Sequence, residues 1–307
     1  MIGSPLLSTL IPFSPNLVAD AQTMLQLDFM RSAFVAGTVT AVVAGLVGYF
    51  VVLRHLAFAG DALSHVAFAG SLGALVAGLN PLLGLFGLTA LAGLGMGVLG
   101  TRARARDEAV GTLLAWVLGL GVLFLSLITS RSSASNGTIG VNVLFGSIFG
   151  LSVPQVHMSV LAAVVAIPLV LALARPLLFA SIDPDVAAAR GVPVRALGVG
   201  FLVLVGIAVA EAVPALGALM VFALLITPAA IAQRLERRPF RALFLAAAIS
   251  VLFTWVGLTV AFYLPLPVSF VISALAFVGY VGVVVWQAGT HGLVSRSPVT
   301  GAFTEPR

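Results

Sequence analysis

Long apolar runs separated by short polar clusters recur along the whole chain. A membrane-crossing helix needs ~20 apolar residues, and outside closed barrels only helices satisfy every backbone polar group in lipid. Read on that basis, the runs predict nine crossings, near residues 32–53, 62–79, 82–100, 109–129, 156–174, 197–212, 216–233, 243–263 and 268–287. The expected fold is an all-α membrane protein, a polytopic bundle of about nine transmembrane helices with a range of eight to ten. Residues 1–31 form an N-terminal segment, 32–287 a single transmembrane domain, and 288–307 a polar tail.

Two segments depart from the simple alternation. Within "NLVADAQTMLQLDFM", Leu17, Ala21, Met24, Leu25 and Phe29 recur at helical intervals, which predicts an interfacial helix before the first crossing. "VNVLFGSIFGLS", Val141 to Ser152, is apolar but too short to cross, and predicts a short or re-entrant helix buried by protein or lining a cavity. Residues 1–19 carry no basic n-region, so no cleaved leader is expected. No internal repeat is evident.

Composition agrees with the pattern. Apolar residues make up 61% of the 307, charged residues only 8%, and mean hydropathy is +1.19, too apolar to wet a globule of this size. The lipid bilayer is therefore the surrounding medium.

Charge adds orientation. All fifteen basic residues are arginine, scattered between apolar runs rather than grouped on a phosphate-binding face, so nucleic acid is excluded as a partner. If the loop "TRARARDE" is cytoplasmic, thirteen of the fifteen lie inside and only Arg31 and Arg131 outside. The N-terminus is then outside and the C-terminus cytoplasmic, in a cell (inner or plasma) membrane. The reverse placement of 141–152, as a crossing, would put Arg175, Arg190 and Arg195 outside. The absence of lysine removes a Walker A loop and a Schiff base, so this chain does not bind ATP in a P-loop. The absence of cysteine removes disulfides and thiolate metal sites.

One cytoplasmic segment, "SIDPDVAAARGVPVRAL", is written as a short helix. Asp183 suits the N-cap, Pro184 the first helical position, Asp185 and the alanines the body, Arg190 the C-terminal dipole and Gly191 a left-handed cap, with Pro193 preventing continuation. Isolated helices below ~12 residues are marginal. It rests either on its own bundle or on a cytoplasmic partner, for which it is a docking helix.

The ionisable residues inside the apolar runs are few. Asp61 and His65, in "RHLAFAGDALSHVAFAG", are four apart and share a helix face, a carboxylate and an imidazole that suit Mn²⁺, Zn²⁺ or Fe²⁺. Capping by Asp61 and a hydrogen bond from His65 to a neighbouring helix account for the same residues. Glu211, near the outer end of its run, lines an ion path, caps the turn at Pro214 or meets solvent. Arg54 and His55 belong to the cytoplasmic rim; His157 and His291 receive no role. Pro228 should kink its span, with Gly217 and Ala218 allowing close helix contact before it.

Taken in order, "VVLRHLAFAGDALSHVAFAG", "EAVGTLLAWVLGLGVLFLSL", "LFGSIFG", "DPDVAAARGV", "GALMVFALLITPAAIA" and "FYLPLPVSF" resemble the zinc/manganese/iron ABC-importer permeases across roughly residues 28–287. The first and fifth blocks are the most specific. The resemblance implies a homodimeric permease subunit that is not itself an enzyme, working with cytoplasmic ATP-binding-cassette ATPase subunits and an extracytoplasmic metal-binding protein. It carries no permanently bound cofactor and transports a divalent metal ion, Mn, Zn or Fe. The resemblance further implies that Asp61 and His65 are metal ligands and that Asp183 to Val194 is the coupling helix. Where the family usually has an acid in its late block, this chain has Pro265, followed by Val268 and Ser269.

Two other classes compete. A proton-coupled secondary transporter would use Asp61, His65 and Glu211 as a relay, but an inverted repeat is missing. An intramembrane enzyme would use Ser64 beside His65, but adjacent helical residues point apart and no G-x-S-x-G elbow is present.

Overall fold

The computed structural model describes residues 26–99, 103–131, 144–264 and 266–294. Ten α-helices follow in chain order: α1 (Asp28–Leu53), α2 (Ala57–Val76), α3 (Pro81–Leu99), α4 (Ala103–Arg131), α5 (Val153–Ile182), α6 (Pro184–Ala189), α7 (Val194–Leu216), α8 (Ala218–Leu235), α9 (Pro239–Tyr263) and α10 (Val268–Val294). No strand occurs among the described residues. Every predicted crossing is a helix. Eight are long and apolar enough to span a membrane; the apolar part of α8, Met220–Leu235, is shorter.

The helices sort into inner and outer ones. In α1 and α2, 72% of the most apolar stretch is buried, and in α7 61%, against 17% in α4 and 22% in α10. The inner helices are rich in small residues where backbones meet. A Cβ on Gly48 of α1 would lie 1.8 Å from the Leu225 carbonyl oxygen of α8, and one on Gly70 of α2 would lie 2.5 Å from that of Gly84 in α3. Such close approach is how helices associate in lipid, where no hydrophobic force separates helix from tail. The outer faces carry Leu83, Trp116, Val122, Leu161, Phe277 and Trp286, all exposed, as a lipid-facing surface requires.

Several boundaries move. The fifth crossing, expected to stop near residue 174, continues as α5 to Ile182, with Pro168 and Pro176 inside it. Thirty residues at 1.5 Å each make a helix of about 45 Å, so α5 overshoots the ~30 Å hydrocarbon core and carries its last turns towards α6. The 141–152 segment does not cross: of its described part, Leu144 and Phe145 are helical, Gly146 turns the chain at φ +74°, and Ile148–Gly150 is a single 3₁₀ turn seated on α1 and α7. Residues 16–25 of the interfacial helix, residues 141–143 and Pro265 lie outside the described residues, and Asp28 to Met30 open α1.

At the end opposite α6, the backbone at Gly146 crosses the α7–α8 link at Gly217, which itself turns at φ +84°. A Cβ on either glycine would come within 2.3–2.4 Å of the other segment's backbone. Ser269, at the start of α10, donates its hydroxyl towards the Phe145 carbonyl at 2.6 Å and lies 3.3 Å from that of Leu216. Three segments distant in sequence are thereby clamped at one end of the bundle.

Candidate functional site

Asp61 and His65 occupy the second and third turns of α2, the fifth and ninth residues of a 20-residue helix. At 1.5 Å per residue they lie about 6 and 12 Å from its start, so His65 approaches mid-span. His65 Nε2 and Asp61 Oδ1 are 4.0 Å apart, with side chains 17% and 34% exposed. That separation is too long for a hydrogen bond but leaves room for an ion to accept a ligand from each. Gly60, one residue earlier, meets the Leu225 side chain of α8, while Phe58 and Phe68 on the pair's own side reach Gly111 and Gly121 of α4. The pair sits on the margin of the α2–α4 contact, open on one side.

Among the described residues no third histidine, aspartate or glutamate joins it. In one chain, further donors must come from carbonyls, water or another molecule. Ser64 is fully buried and donates to the Asp61 carbonyl at 2.7 Å, so its hydroxyl is engaged with its own helix rather than with His65. Ser64 is therefore not paired with His65 as a nucleophile with its base.

Glu211 is placed elsewhere. It is 2% exposed in α7, and Thr40 of α1, itself buried, donates to its Oε1 at 2.6 Å. The Ser159 hydroxyl of α5 adjoins it. Its Oε2 is buried without a hydrogen-bond partner. The carboxyl thus ties three helices together from inside, in a group separate from Asp61 and His65.

The short helix forms as its sequence predicts. Asp183 Oδ1 accepts from the Val186 N–H at 2.9 Å, Pro184 opens α6, and Gly191 takes φ +83° after Arg190. Six residues rest on one fully buried side chain, Ala187, and Asp185, Val186, Ala188, Ala189 and Arg190 are exposed. A helix held by so little has most of its surface available for another protein.

Two cavities lie at opposite ends. At the end away from α6, a half-open pocket of about 520 Å³ lies between α2, α3, the start of α5 and the 3₁₀ segment, with Ser71, Asn80, Ser147, Ser152 and Gln155 supplying polar atoms and Val213 and Pro214 forming part of the wall. Sequence reasoning missed this cavity because its polar residues come from three stretches up to 84 positions apart, each unremarkable alone. At the α6 end, about 1210 Å³ opens beside α3 and α7, with Arg54, Asp185 and Arg195 at its rim. His55, exposed in the α1–α2 link, adopts a left-handed backbone (φ 54°). His157 is exposed on α5.

The arrangement has counterparts among solved structures. PsaBC from Streptococcus pneumoniae in complex with Fab matches with a TM-score of 0.76 at 25% identity, covering 87% of this chain and 95% of that one. An inward-facing metal-chelate type ABC transporter shares the fold at TM-score 0.65 and 20% identity, covering 91% of this chain and 92% of that one. The shared fold is therefore that of a multi-pass membrane protein. The chain belongs to the ABC 3 transport family, whose profile matches residues 26–287, and the resemblance of the sequence blocks is borne out at that level. Similar proteins include the manganese transport system membrane protein MntC of Listeria innocua, 28% identical over 76% of this chain and 82% of that protein. The chelated iron transport system membrane protein YfeD of Yersinia pestis is 28% identical over 81% of this chain and 84% of that protein.

Proposed function

We propose that this chain is the permease subunit of an ATP-driven importer for a divalent transition-metal ion, Mn, Zn or Fe. Two copies form one path, with cytoplasmic ATPases docked on α6 and an extracytoplasmic binding protein delivering the ion at the opposite end. The observation that carries this reading is the Asp61–His65 pair, 4.0 Å apart and open on one side of an inner helix, in a chain of this family. An open side within one chain is what a site completed by a second copy requires. Asp183, Pro184, Asp185, Arg190 and Gly191 form the ATPase contact, and ATP binding moves the two copies of α6, switching the path between outward and inward access. Glu211 is sealed behind Thr40 here and joins the path only when α1 and α7 part.

Co-reconstitution of the chain with its ATPase in liposomes, offered manganese, zinc and iron in turn from outside together with the binding protein, tests the energy source. Uptake that needs ATP and the ATPase is expected. Uptake driven by a proton gradient without any ATPase would replace the reading with a secondary transporter.

A further inference from the structure

The groove at the α6 end has a chemistry that docking of an ATPase does not account for. Arg54, the C-cap of α1, lies along the first turns of α7: its guanidinium carbon is 5.7 Å from the Phe201 ring centroid, and its Nη2 is 3.6 Å from where a Cβ on Gly198 would be. A Cβ at 198 would stand in ordinary van der Waals contact with the arginine, so only a side chain larger than that of alanine displaces it. Arg195, exposed, is three residues earlier on α7, so it shares that face one turn towards the helix start. Both arginines therefore line the same groove. The N-terminus of α7, whose Pro193 cap provides no side-chain hydrogen bond, adds its positive dipole end. Asp185 is the acid at the same rim.

Below the rim the groove changes character. Leu94, Val199, Leu202 and Val203 line it and Gly200 leaves the α7 side low, in a groove of about 1210 Å³ lying over the seam where α3 and α7 pack, a seam that Val199 closes against Gly97. A charged mouth at the helix ends above an apolar trough is the shape of a phospholipid, headgroup at the interface and chain in the core.

We infer that this groove binds an anionic phospholipid of the cytoplasmic leaflet, its phosphate between Arg54 and Arg195 and an acyl chain along the α3–α7 trough. The inference uses the orientation of the proposed function, which puts the α6 end in the cytoplasm. A lipid wedged against α6 would also set how that helix sits before an ATPase arrives.

Native mass spectrometry of the full-length chain, purified from membranes of mixed phosphatidylglycerol and phosphatidylcholine, counts the lipids retained. Selective retention of phosphatidylglycerol is expected. It should fall about fivefold in Arg195→Gln, the weight of one arginine against an anionic leaflet, and be lost in Gly198→Leu, which displaces Arg54. Arg195 is exposed and its variant keeps the fold, so a null result cannot be laid to misfolding. Equal retention of both lipids, or phosphatidylglycerol retention unchanged in both variants, overturns the inference. So does loss of the lipid on adding the ATPase, which would assign the arginines to that partner. The count needs neither metal nor ATP, so failed metal uptake would sink the importer reading and leave this result standing.

Discussion

Glu211 and Asp61 show how differently two intramembrane acids can be used. Glu211 is held by a 2.6 Å hydrogen bond from Thr40, with its second oxygen unpartnered, in the interior of three helices. Removing the donor leaves a buried acceptor unsatisfied, at a cost of about 1–3 kcal/mol. Thr40→Val should therefore lower the thermal stability of the detergent-solubilised protein, and Glu211→Gln, which keeps an acceptor for Thr40, should lower it less. Equal losses would show that the hydrogen bond is not what holds α1 to α7. Asp61 is instead partly exposed, and Ser64 beside it is bonded to its own backbone. Ser64→Ala should leave transport nearly unchanged; abolished uptake would revive an enzymatic role for the serine. The Asp61–His65 spacing was legible because i and i+4 share a helix face whatever the tertiary context. The partners of Glu211 were not, because Thr40 is 171 positions away and threonines are too common to single one out.

At the scale of elements, the helices of the nine predicted crossings, eight of them long enough to span, were legible because lipid makes a span apolar for about 20 residues. Their ends were less so. α5 runs on past Pro176 to Ile182, since a helix leaving the bilayer keeps its own hydrogen bonds and nothing apolar marks where it stops. α6 was legible down to its cap, because Asp-Pro and Arg-Gly signals act locally. Asp183→Ala removes the bond to Val186, costs the helix about 0.5–2 kcal/mol, and should weaken co-purification of the ATPase. Undiminished co-purification would place the ATPase contact elsewhere. The crossing of Gly146 over Gly217 was invisible in the sequence: both are glycines in loops, and only the fold shows each filling the space the other's Cβ would need. Gly217→Ala forces a β-carbon at positive φ to within 2.3 Å of the Phe145 backbone, and should destabilise the protein more than Gly282→Ala, where a Cβ meets nothing. A thermal melt of both variants checks the order.

At the scale of the molecule, the inner helices α2 and α7 carry Asp61, His65 and Glu211, while α4 and α10 bury little of their apolar stretches. The spatial neighbours of α2 could not be read from its sequence, because helices that are apolar all round give no sign of which side faces protein. The 28%-identical relatives named for manganese and chelated iron transport make a transition metal the substrate class to test. The most direct measurement is ATP-dependent uptake of radiolabelled manganese, zinc and iron by liposomes carrying the ATPase-bound permease, wild type against Asp61→Asn and His65→Ala. Loss of a metal ligand should cut uptake of the preferred ion by at least about tenfold in each variant, with folding and ATPase binding intact. Wild-type uptake in both variants would contradict the assignment of Asp61 and His65 to the ion.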